Sequence, residues 1–232
     1  MKQLCAELRS HADSDDAKQL QRFFKTGPGE YAEGDRFLGI RVPVLRRIAG
    51  VYRDLLLEET LELLRSPFHE ERMVALLILV RRMRSGDKSQ QRSIYDAYLA
   101  NTASINNWDL VDTSAEYVVG AWLWKRSRAP LHRLARSRSL WERRIAILAT
   151  FHFIKQGEFD ETLALAAMLL RDEHDLIHKG VGWMLREVGN RNGEVERGFL
   201  RKHARTMPRT MLRYAIEKFP EEERKNWLRM RD

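Results

Sequence analysis

The chain has 232 residues, 44% of them apolar and 32% charged, a balance that excludes a disordered or membrane-embedded polypeptide. Its formal charge of +8 rests on 31 Arg and 10 Lys, and points to a polyanionic partner, nucleic acid before an anionic membrane. One cysteine, Cys5, excludes an internal disulfide framework and fits a reducing compartment, and no apolar run nears the ~18 residues needed to span a bilayer.

The N-terminal stretch Met1–Ser10 is too polar for the apolar core of a secretion signal, so a cytoplasmic protein is expected. The length suits one domain, or one short repeat array, over residues 1–232. Helical periodicity dominates and strand alternation is absent. Helices are predicted over Met1–Ser10, Asp15–Lys25, Pro43–Leu55, Leu57–Ser66, His69–Arg84, Lys88–Ala100 and Asn107–Lys125. They continue over Ala129–Ser137, Leu140–Gln156, Glu158–Arg171, Asp175–Asn190, Glu194–Arg205, Arg209–Phe219 and Glu221–Met230. Gly and Pro breakers separate them, and Ser66 before Pro67 and Asn106 before Trp108 read as capping residues. The longest irregular stretch, Thr26–Arg41, is rich in Gly. Helix pairs recur at about 35–45 residues, the range of HEAT, armadillo or TPR units, although strict repeats are not visible. Two architectures fit: a solenoid with a basic concave face suited to a duplex, or an irregular helical bundle.

Three of these helices do not read as plain core. At 100° per residue, Ala115, Val119 and Trp122 fall within about 40° of Trp108, and this is the predicted buried stripe. Asp112 falls at about +40°, one turn above Trp108, at the margin of that stripe; Asp109 and Glu116 lie further toward the polar side. An acid so placed is paired, ties two helices together, or serves a function. In Leu140–Gln156, apolar nearly all round, Arg143 and Arg144 stand side by side. Arg144 shares a face with Trp141, Leu148 and Phe151, so its guanidinium needs an acid, such as Asp112, or a phosphate. In Asp175–Asn190, Ile177, Val181, Met184, Leu185 and Val188 make the apolar face. Lys179, Trp183, Arg186 and Asn190 make the opposite one. Aromatic groups interleaved with cations are the footprint of nucleic-acid contact, unless a neighbouring repeat covers Trp183. Arg41, Arg46, Arg47, Arg209 and Arg213 also lie near helix starts, where phosphates bind well. No metal-ligand spacing, phosphate loop or nucleophile elbow is present, and His152 and His178 read as structural.

The segments Asn107-Trp108-Asp109-Leu110-Val111-Asp112, Trp141-Glu142-Arg143-Arg144-Ile145-Ala146 and Lys179-Gly180-Val181-Gly182-Trp183-Met184-Leu185-Arg186-Glu187 resemble the DNA alkylation repair family, the AlkD-like HEAT-repeat DNA glycosylases. Phe37-Leu38-Gly39-Ile40-Arg41-Val42-Pro43 and Met211-Leu212-Arg213-Tyr214-Ala215-Ile216-Glu217-Lys218 are similar to it too, in the same order along nearly the whole chain. The resemblance implies an all-α, right-handed solenoid of HEAT-like (ARM-type) repeats cradling duplex DNA in a basic concave groove. It implies hydrolysis of the N-glycosidic bond of cationic alkylpurines such as 3-methyladenine and 7-methylguanine, without metal or cofactor and by a monomer. Asp112 matches the catalytic carboxylate. Trp108 and Trp183 match the aromatics against the lesion's deoxyribose, and Arg144 matches the residue holding the adjacent phosphate. Lys179, Arg186, Arg213, Arg143 and Arg41 are further candidates for the DNA backbone. The stretch Lys25–Phe37 is longer and more acidic than in compact members, and Phe23 stands where a Tyr can occur. The other readings are a non-enzymatic helical-repeat protein that binds DNA or damaged DNA, and a protein-binding scaffold.

Overall fold

The structure, a computed structural model, describes residues 1–230. It contains α1 (Lys2–Ser10), α2 (Ser14–Phe23), α3 (Val42–Val51), α4 (Leu57–Leu64), α5 (His69–Ser85), α6 (Lys88–Ala100) and α7 (Trp108–Ala115). A π-helical turn, Glu116–Gly120, leads to α8 (Ala121–Leu123), α9 (Ala129–Ala135), α10 (Leu140–Ala149), α11 (Phe151–Lys155) and α12 (Asp160–Met168). Then come α13 (Asp175–Gly189), α14 (Gly193–His203), α15 (Arg209–Ala215) and α16 (Glu221–Arg229). Every predicted helix is present, and among the described residues extended pairing is confined to one isolated bridge, Arg36 with Phe68. Two predicted helices are interrupted. The π-helical turn divides Asn107–Lys125, and Thr150 ends α10, its hydroxyl donating to the Ile147 carbonyl at 2.7 Å, a side-chain bond that bends helices.

Helix starts follow local side-chain chemistry. Asp13 accepts the amides of Asp15 and Asp16, both at 2.9 Å, to start α2. Asp87 and Gln90 form a reciprocal capping box at α6. Ser66, read from sequence as a cap, does not begin a helix. Its hydroxyl accepts the Phe68 amide at 3.0 Å and donates to Glu71 at 2.5 Å, and α5 starts only at His69.

The chain packs as two compact units, Met1–Val118 and Val119 onward. In the second, α13 packs on α10, α12, α14 and α15. A Cβ at Gly182 would lie 2.5 Å from both the Met211 carbonyl oxygen and the Tyr214 Cβ, so glycine lets α13 and α15 meet backbone to backbone. In the first unit α5 is the centre, with α3, α4, α6 and α7 packed on it. Its apolar run Met73–Val80 is wholly buried, as sequence patterning requires of a helix apolar on every side.

The four residues before that run, His69-Glu70-Glu71-Arg72, are buried as well, and each has a polar neighbour. The Glu70 carboxyl accepts the backbone amides of Leu38 (2.9 Å), Gly39 (2.8 Å) and Ile40 (3.2 Å). Gly39 sits there at φ +83°, with Asp13 and Ala17 backbone atoms where a Cβ would stand, so no other residue fits. Arg72 donates to buried Asp35 at 2.7 Å and to the Ser66 carbonyl at 3.1 Å. The His69 ring bridges two acids, Nε2 to Asp109 at 2.8 Å and Nδ1 to Asp35 at 3.4 Å. Burial works to lower the imidazole, but the Asp109 and Asp35 carboxylates outweigh it and lift His69 to about 9. Thus Thr26–Arg41, an open loop on composition, is fastened to α5 at both Asp35 and Leu38–Ile40.

Two stability outcomes follow. Glu70→Ala leaves three amides of the loop without an acceptor, at roughly 1–3 kcal/mol for each one that stays buried, and urea unfolding should show a loss near the upper end of single-site effects. For His69 the folded value of about 9 exceeds the ordinary 6.5, so its stabilisation is full below pH 6.5, fades between 6.5 and 9, and is gone above. Burial also raises the Glu196 carboxyl to about 8, which destabilises increasingly from its ordinary 4.5 up to that pH. Comparing Tm–pH curves of wild type and His69→Gln removes the Glu196 contribution: the gap between them should close from pH 6.5 to 9.

Candidate functional site

The first unit holds the candidate acid. Asn107 caps α7, its Oδ1 accepting the Trp108 amide at 2.8 Å, one residue later than the Asn106 cap read from sequence. α7 buries Leu110, Val111, Ser114 and Ala115, while Trp108, Asp109, Asp112 and Thr113 are half-buried. The buried stripe is therefore rotated away from Trp108, on which the periodicity centres it. The rotation is already present within α7, and beyond Ala115 the π-helical turn further shifts the phase of a single 100° count. Glu116, placed by that count on the polar side, is buried.

Trp108, Asp109 and Thr113 line an open cleft of about 540 Å³, together with Phe23, Phe24 and Phe37. Asp112 falls between Trp108 and Thr113 on the helical wheel but does not itself line the cleft. The Phe24 ring stacks on Trp108 with centroids 5.2 Å apart, and Phe23 meets Trp108 edge-on at 6.1 Å while remaining 64% exposed. Beneath α7, the buried Tyr98 hydroxyl meets Ser114 Oγ at 2.9 Å. Burial raises the Tyr98 phenol far above its ordinary value, the Ser114 bond opposes this, and the charge of Asp112 adds to the rise. The carboxylate thus acts electrically on the core below it. Arg41, exposed at the start of α3, also lines the cleft and pairs with Asp16 at 3.2 Å.

The second unit carries the remaining candidates. Arg144 is buried on α10 and donates to the Leu176 carbonyl at 2.5 Å, and its guanidinium lies against Gly180 of α13. Arg143 grips Asp172 through Nε (2.5 Å) and Nη2 (3.3 Å), and donates to the carbonyls of Ser137 and Arg138. Lys179 pairs with Asp175 at 2.7 Å, and Arg186 with Glu217. Arg213 on α15 is exposed and makes no ion pair among the described residues. Trp183 is half-buried: its ring lies 5.8 Å from Phe151 and its Nε1 donates to Glu187 at 3.2 Å. Lys155 and Arg191 stand 4.2 Å and 5.7 Å from the Phe151 ring, so an aromatic pair edged by cations forms on α11 and α13.

Three residues of consequence escape the sequence reading: Asp35, His69 and Arg72. One signal points to His69 and Arg72, and none to Asp35. A His-Glu-Glu-Arg quartet directly precedes an apolar run too continuous to have a wet side, so its charges must pair inside the fold. Among the described residues no cluster of three or more His, Cys, Asp or Glu side chains is disposed to hold a metal, and no helix is long and apolar enough to cross a membrane.

Comparison with known proteins bears on this arrangement. The sequence model described as DNA alkylation repair enzyme matches residues 4–219. Among proteins of curated function, none matches the chain. One solved structure, described as a predicted DNA alkylation repair enzyme from Enterococcus faecalis, has a TM-score of 0.69 at 14% identity, covering 91% of this chain and 98% of that one. The crystal structure of smu.31 from Streptococcus mutans UA159 has a TM-score of 0.54 at 15% identity, covering 95% and 98%. At such identities the structural likeness speaks to the all-α fold alone. Because the family's pattern runs through nearly the whole length, the chain belongs to the DNA alkylation repair enzyme family, and its role lies in the repair of alkylated DNA.

Proposed function

We propose that the protein is a DNA glycosylase that hydrolyses the N-glycosidic bond of cationic alkylpurines, 3-methyladenine and 7-methylguanine among them, in duplex DNA. The observation that carries this reading is Asp112, a half-buried carboxylate on α7 one turn from half-buried Trp108, which lines an aromatic-walled cleft.

An alkylated purine already bears a positive charge. When the bond from C1′ to the base breaks, the base keeps the electron pair and leaves neutral, without a general acid. The sugar takes on oxocarbenium character, as in glycoside hydrolysis generally. A carboxylate at Asp112 stabilises that cation and orients the water whose oxygen adds to C1′ as its proton is lost. The ring face of Trp108 supplies further stabilisation of positive charge, and Trp183, in the second unit, is the other aromatic candidate. Arg144, Lys179, Arg186, Arg213, Arg143 and Arg41 are the candidates for phosphate contact. Of these, Arg213 has its full donor set available, whereas Arg143 is engaged by Asp172. In this reading one cytoplasmic monomer without a cofactor takes the duplex.

Methylated duplex DNA provides the test. Wild type should release 7-methylguanine, and Asp112→Asn should slow release by about 100- to 1,000-fold, the size of losing one electrostatic stabiliser. Trp108→Ala should slow it by roughly 30-fold, equivalent to about 2 kcal/mol of cation–π stabilisation. Equal release by wild type and Asp112→Asn removes the carboxylate from the chemistry. Salt-dependent binding with no release by wild type assigns the protein to DNA recognition without cleavage. In a salt titration of duplex binding, Arg213→Ala should reduce the log–log slope by about 0.9 while Arg143→Ala leaves it unchanged.

A further inference from the structure

We propose that His69 is a positioning residue for the candidate active site, holding the first turn of α7, and with it Trp108 and Asp112, in register through a doubly donating imidazolium bridged between Asp35 and Asp109. The proposal rests on the glycosylase reading and adds a residue to it.

The geometry starts at Asp35. Its carboxylate takes the Arg72 guanidinium at 2.7 Å, the Asn106 amide at 3.2 Å and the Asn107 amide at 3.4 Å. Asn107 uses its other side-chain atom to cap α7. His69 reaches the same carboxylate with one ring nitrogen and Asp109, in the first turn of α7, with the other. Asn106, Asn107 and Asp109, which flank Trp108 at the start of α7, are thereby tied to α5 and to the loop before α3. The charged groups around the ring are Asp35 from the loop, Arg72 from α5 and Asp109 from α7, and the rings of Phe37 (4.5 Å, stacked) and Phe24 (5.1 Å) cover it.

Protonation decides whether the bridge exists. Carboxylates only accept, so each needs an N–H from the ring. An imidazolium offers two. A neutral imidazole offers one and turns a lone pair toward the other acid, which it repels. Loss of the proton therefore breaks either the Asp109 bond, leaving α7 tied to Asp35 by Asn106 and Asn107 alone, or the longer Asp35 bond, which removes one of that carboxylate's four donors, and in each case the hold on α7 loosens. Asp112 does not touch His69 in this scheme: it moves because the helix under it moves. Misplacement on the order of 1 Å at a reacting centre costs about 100-fold in rate.

The experiment is single-turnover base release from methylated duplex with saturating enzyme, between pH 6 and 10, against a no-enzyme control. Wild type should lose rate on the alkaline side with a midpoint near 9. His69→Gln, which donates one hydrogen bond and does not titrate, should be slower by roughly 10- to 100-fold at neutral pH with duplex affinity unchanged, and should lack the alkaline limb. An alkaline limb in His69→Gln identical to that of wild type overturns the proposal. A second measurement needs neither the variant nor catalysis. Hydrogen exchange of residues 107–115 in wild type, corrected for intrinsic rates, should lose protection above pH 9 before the rest of the first unit does. Uniform protection across that range overturns the positioning role even where wild type releases base. Absence of base release by wild type sinks the glycosylase reading instead, and hydrogen exchange alone then decides whether the bridge holds α7.

Discussion

Burying a helix on every side forces a solution for whatever polar groups it carries, and α5 carries four of them in succession at its start. A charge taken from water without a partner costs several kcal/mol, so the surroundings of such a helix are built to meet it. Here the partners come from far away in the chain. The amides of Leu38–Ile40 come to Glu70, Asp35 comes to His69 and Arg72, and Asp109 comes to the far side of the imidazole. Positions 35, 69 to 72 and 106 to 109 thereby become one object, and the helix bearing Trp108 and Asp112 is one of its walls.

Around the imidazole the charges balance. Protonated His69 and Arg72 set two positive charges against Asp35 and Asp109, two negative ones. Glu70 and Glu71 lie in the first turn of α5, where the helix's own amides present partial positive charge.

Much of this is legible in the sequence. All fourteen predicted helices exist, because apolar spacing, breakers and cap residues act locally and agree with one another. Asp112 beside Trp108 stands out because an acid near an aromatic breaks the amphipathic pattern. The limits are physical. A helical wheel assumes constant pitch, which the π-helical turn from Glu116 violates, and within α7 the buried face is set by the packing of α5, a neighbour the wheel does not see. The pairing of Arg143 with Asp172 and of Arg186 with Glu217 joins residues 29 and 31 apart, beyond the reach of local spacing. Asp35 is hidden for the same reason: among the Gly and Glu residues of its loop it looks like any solvated acid, and only the fold brings it to His69.

That last separation has a bearing on how the molecule assembles. Helical proteins fold quickly because most of their contacts lie close along the chain. The buried acid–imidazole cluster is the opposite kind of contact, joining positions that differ by 34, 40 and 72 in the sequence. Those three segments meet only when the helices of the first unit have packed, so the cluster depends on tertiary structure and not on any one segment. The order of α7 is therefore a property of the assembled first unit and not of its local sequence.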